Sequence, residues 1–149
     1  MNHKPSPTDL PHGSRRTVLV ALPVRPAAPT TVEGTLLAAA RLLQKRGLWQ
    51  GDYVPDVFDR EMCIPHCLRP MNIVAAIRCV VSGNPHRSTQ LADTAMGVLA
   101  LAIGDGPDYG DVFSLEAHVD AWNDEPGRTT DEAVALLELV ATSPAERAA

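Results

Sequence analysis

Aromatic side chains are scarce in this sequence: two Trp, two Tyr and two Phe make up 4% of 149 residues. A core with so few rings must be built from Leu, Val, Ile and Ala. That choice suits packed helices better than a sheet, because strands favour aromatic and β-branched residues. Cysteine is scarce too. Cys63, Cys67 and Cys79 are an odd number at close spacing, unlike the paired framework of a small secreted protein. Long apolar runs are missing: the best, Thr17 to Val24, is far too short to span a bilayer and carries no small-residue cleavage site. Together these absences exclude a disulfide scaffold and a membrane-spanning helix. The expected setting is soluble and cytoplasmic, with reduced thiols and no membrane partner. Also absent are a nucleophile elbow, a P-loop, a dinucleotide fingerprint and a His-Glu-x-x-His pair.

What is present fits one domain. The apolar fraction, 45%, and the charged fraction, 21%, are ordinary. A chain of this length buries roughly two-thirds of its unfolded surface and needs no staple. Charge is distributed unevenly. Residues 1–50 carry seven Lys and Arg against Asp9 and Glu33, a net of +5; the other 99 carry six against sixteen, a net of −10. An acidic body repels phosphate backbones, so nucleic acid is an unlikely partner, although Arg15, Arg16 and Arg25 give the N-terminal segment a basic character.

Residues 1–29 hold six of the thirteen prolines and read as an extended basic arm, with one strand conceivable at 17–22. Residues 30–143 read as a helical domain, and 144–149 as a frayed tail. Thr30-x-x-Glu33 has the form of a capping box opening a first helix, with Leu36, Leu37, Ala40 and Leu43 at helical spacing and Gly47 as its stop. Residues 48–66 read as irregular or as a short β-hairpin. A second helix takes Pro70 in its first turn, with Ile73, Val74, Ile77 and Val81 as its apolar stripe. A third is capped by Ser88 and runs to Ile103; Gly97 inside it costs about 1 kcal/mol relative to Ala and marks a close crossing. Ser114 caps a fourth, which carries Leu115, Val119 and Trp122. Thr129-x-x-Glu132 is a capping box for a fifth, with Leu136, Leu137 and Val140 inward. The expected fold is mainly α, a bundle of about five helices with an extended arm.

Two blocks carry a resemblance. Trp122-Asn-Asp-Glu-Pro-Gly-Arg-Thr129, before the last helix, resembles the end of an uncharacterised family of small actinobacterial and actinophage proteins. Leu36-Leu37 through Leu42-Leu43, then Arg46-Gly47 and Trp49-Gln-Gly-Asp-Tyr53, is similar to that family's opening segment. In the middle, Cys67-Leu-Arg-Pro70-Met71 stands where the family carries Cys-x-x-Gly-Ala. The resemblance implies a fold and a lineage, and no activity.

Three places could hold chemistry. Cys63, His66, Cys67 and Cys79 offer thiolates and an imidazole, the ligand types of zinc, with His86 downstream. Their spacing provides only one close Cys pair, so no cofactor is expected. Asp105 begins an acidic loop in an EF-hand register, with Gly110 at position six and Glu116 at position twelve. Pro107 and Tyr109 occupy two ligand positions, which argues for a polar turn. Glu116-x-His118-x-Asp120 precedes Trp122, Asp124 and Arg128; Glu116 and Asp120 share a helix face, while His118 lies with Trp122. His118, Trp122, Asp124 and Arg128 are therefore the candidate ligand-binding set. Turn chemistry competes for them: Asp124 can accept backbone bonds, Pro126-Gly127 reverses the chain, and Arg128 can bridge Asp124 or a helix C-terminus.

No catalytic set is assembled in the sequence. The expected function is a non-enzymatic interaction or regulatory module that associates with itself or with another protein. The alternative is a small-molecule-binding protein or enzyme with a pocket near the Trp122–Arg128 turn.

Overall fold

The computed structural model describes residues 26–58, 64–108 and 110–143. The expected strand at 17–22, most of the basic arm and the tail after 143 lie outside those residues. Five α-helices follow one another: α1 Val32–Arg46, α2 Ile73–Ser82, α3 Gln90–Ala102, α4 Val112–Asn123 and α5 Thr130–Thr142. A single 3-10 turn spans His66–Leu68. The expected mainly α bundle of five helices is what forms, and no strand occurs among the described residues.

α1 is the hub. It packs against α5, α2 and α3, and α4 completes the bundle against α3 and α2. Leu36, Ala39, Ala40 and Leu43 recur at helical spacing and are fully buried there. α2 is apolar nearly all round, as a helix enclosed by others must be. From Met71 to Cys79 every residue is buried, Arg78 included. The expected crossing at Gly97 is present: a Cβ there would lie 3.4 Å from Leu115 Cδ1, so α3 and α4 approach closely at this point.

The helix caps show where tertiary structure overrules local pattern. Thr129 forms the expected capping box with Glu132. α1, however, is capped by Thr31, whose hydroxyl accepts from Gly34 N at 3.0 Å, and not by Thr30. α3 is capped by Thr89; Ser88, one residue earlier, donates to the Asp93 carboxylate. α4 is capped by Asp111, which accepts from the amides of Phe113 and Ser114 and from the Ser114 hydroxyl. Two adjacent side chains can each serve as a cap; burial of the helix stripe selects between them.

Pro70 does not enter α2. Met71 is held extended, its N–H donating to Gly47 O and its carbonyl accepting from Trp49 N, and the helix starts only after the Asn72 cap. That exchange makes an isolated parallel bridge between Leu48 and Met71. It takes the place of the hairpin considered for 48–66, of which 59–63 lie outside the described residues. Residues 51–58 form turns. Buried Arg69 secures them, donating to the carbonyls of Pro55, Asp56 and Ile64 at 2.9–3.1 Å.

Candidate functional site

The end of α4 carries the most specific motif, and its residues are used to join the chain. Asn123 is fully buried. Its Oδ1 accepts from Ile73 N at 3.1 Å, at the start of α2, and its Nδ2 donates to Trp49 O at 2.9 Å. Asp124 Oδ1 accepts from Gly51 N at 2.9 Å. Gly51 sits at φ +92, where only glycine is at ease. Gln50 Nε2 donates to the carbonyls of Asn123 and Glu125, and Leu48 N donates to the Thr130 hydroxyl. The two blocks of the sequence, Trp49–Tyr53 and Trp122–Thr129, are thus the two halves of one hydrogen-bonded joint.

The candidate set divides on this geometry. Arg128 stacks on the Trp122 ring, its Cζ 3.7 Å from the centroid, and its Nε donates to Trp122 O, at the C-terminal end of α4. It pairs with Glu125 and, more distantly, Glu132, and not with Asp124. Proximity in the folded turn decides this, because Asp124 is turned toward Gly51. His118 lies elsewhere, its Nε2 3.0 Å from Ile103 O. It lines a shallow cavity of about 550 Å³ with Ser114 and the Asp105–Asp108 loop. Tyr109, in the EF-hand register, lies outside the described residues. The four residues therefore occupy three different environments.

The thiol and imidazole set divides as well. Cys63 lies outside the described residues. Cys67 and buried Cys79 both stand on the wall of one cleft. His66 turns to His86, with Nδ1 and Nε2 2.8 Å apart, so one imidazole donates to the other. Among the described residues no three His, Cys, Asp or Glu side chains gather as metal ligands do.

A seam of buried polar groups between α2 and α4 was only half legible. Glu116 and Asp120 share a face, as expected, and that face meets α2. Arg78 Nη2 is 2.8 Å from Glu116 Oε2, and the Tyr53 hydroxyl donates to the other carboxylate oxygen. The guanidinium also lies 5.2 Å from the Tyr53 ring centre. Burial and the hydrogen bond to Glu116 push the Tyr53 hydroxyl above its ordinary pKa. Burial alone would lower Arg78, but Tyr53 and Glu116 outweigh it and hold the cation more firmly. Asp120 accepts from Asn72 Nδ2 at 3.0 Å. Burial first, then the neighbouring carboxylates of Glu116 and Asp124, push its pKa up to about 7, against the pull of Arg78. Burial, followed by the charges of His66 and Arg78, lowers His86. Arg78 and Asn72 belong to no motif in the sequence, and Tyr53 stood only as the end of the Trp49–Tyr53 block. Arg78 sits in an apolar run, and a charge at such a position is the one hint available.

The fold and the joint define a class: a small all-α protein whose last helix is clamped to its first connecting segment. The chain belongs to the family of unknown function DUF6197, which it matches over residues 27–143. No curated protein and no solved structure matches it.

Proposed function

We propose that this protein is a non-enzymatic interaction module that associates with a second copy of itself. One observation carries the reading. Both phenylalanines of a ring-poor chain stand in solvent, Phe58 90% and Phe113 84% exposed. Burying one such ring contributes about 1.5–3 kcal/mol, and aromatic side chains are enriched where proteins meet. Phe113 has exposed Val112 beside it on the first turn of α4. The charge asymmetry adds attraction between the basic N-terminal segment of one copy and the acidic body of another. The proposal includes lineage and location: an actinobacterial or actinophage protein of the reducing cytoplasm, with no nucleic acid as partner.

Light scattering of the full chain, of a chain lacking residues 1–29 and of Phe113→Ser tests it. The full chain is expected at twice the monomer mass or more, and Phe113→Ser at the monomer mass. Loss of the arm is expected to weaken association in a salt-dependent way. A monomeric full chain at high concentration overturns the reading.

A further inference from the structure

We propose that the cleft on the outer face of α1 binds a small amphiphilic anion, an acidic head group on an apolar tail. The cleft measures about 540 Å³, within the range of ligand sites. Its length runs along one helix face. Gly34, Ala38 and Leu42 follow at intervals of four, and Leu42 supplies apolar surface. Leu68 and Val80 close it from the 3-10 turn and from α2.

The cations distinguish this cleft from an ordinary apolar groove. Arg41, Lys45 and Arg46 all line it, and among the described residues no Asp or Glu does. They are three of the seven cations of residues 1–50, the segment with a net charge of +5. None of the three has a carboxylate partner among the described residues. Arg41 spends Nε on Leu37 O, at 3.2 Å. Arg46 Nε is buried and has no acceptor. The apolar floor supplies the tail's site and the guanidinium and ammonium groups the head's. Pro26, Ala27 and Pro29, at the end of the N-terminal segment, form part of the cleft wall.

Decanoate below its micellar concentration is the probe, titrated calorimetrically into the full chain, with decanol and inorganic phosphate as controls. Decanoate is expected to bind, and each control at least about ten-fold more weakly: decanol lacks the charge-assisted contact and phosphate lacks the apolar tail. Decanoate is also expected to slow alkylation of Cys67, which lies half-buried on the cleft wall, read at the peptide level. The triple variant R41Q/K45Q/R46Q is expected to lose roughly ten-fold or more in affinity and to keep its helical circular dichroism. Absent decanoate binding, equal binding of decanol, an unaffected triple variant, or binding without protection of Cys67 each overturns the proposal. A vesicle arm separates the sources of the anion: sedimentation with phosphatidylglycerol vesicles in a protein that ignores free decanoate would assign the cations to a membrane surface and overturn the cleft. The Cys67 readout uses the unmodified protein, so it decides even if the triple variant fails to fold.

Discussion

The joint at the end of α4 and the cleft along α1 are both polar places beside the core, and they treat polarity in opposite ways. In the joint, Asn123 uses both its oxygen and its amide nitrogen, and Asp124 and Gln50 accept from or donate to backbone. In the cleft, three cations line apolar surface with no acid among the described lining residues. Satisfied polar groups have been consumed by folding; groups left over are free to recognise something else. On the proposal above, the α4 motif, spent on folding, is a poorer place to seek a ligand than the cleft along α1.

The sharpest way to break the comparison is Asn123→Ala. It strands Ile73 N in the interior and leaves part-buried Trp49 O without its donor, and about 3 kcal/mol of stability is expected to be lost, measured by urea denaturation. A loss under 1 kcal/mol would mean that the joint does not hold the fold. Thr129→Ala removes a cap in the same joint and is expected to cost about 1 kcal/mol in the same assay.

The polar seam sharpens the comparison through pH. Asp120 has a folded pKa raised to about 7, well above its unfolded value. Its favourable contribution is fully present below the unfolded carboxylate pKa and is lost as pH rises through 7, where the native state must give up the proton. Asp120→Asn, which keeps an acceptor for Asn72, is expected to flatten this fall and to stabilise the protein at pH 8. The gain is on the order of 1 kcal/mol once partial exposure is allowed for. Denaturation midpoints from pH 5 to 8 read it; parallel curves for the two proteins would refute it. The smallest effect is expected for R41Q/K45Q/R46Q, within about 0.5 kcal/mol of the parent, because these cations contribute little to folding.

How much of this was readable in advance depended on range. The five helices were legible because each has its own apolar period and its own terminal signals, such as Gly47 and the Thr129–Glu132 box. The exact caps were less so, since Thr30 and Thr31, or Ser88 and Thr89, are equivalent until the core stripe is placed. In the candidate set, Trp122 and Arg128 proved adjacent and His118 distant. The pairing of Arg128 with Glu125 and not Asp124 depended on which way one carboxylate turned.

The sequence by itself determined the class of fold, the positions of its helices and the motif that ends α4, because these rest on interactions within a few residues. Tertiary structure alone decided three things: that Trp49–Tyr53 and Trp122–Thr129 meet, that Arg78 reaches Glu116, and that the cations of α1 share a cleft with Cys67 and Cys79. Each brings together residues far apart in the chain. No local propensity encodes such a contact; burial of the shared core selects it.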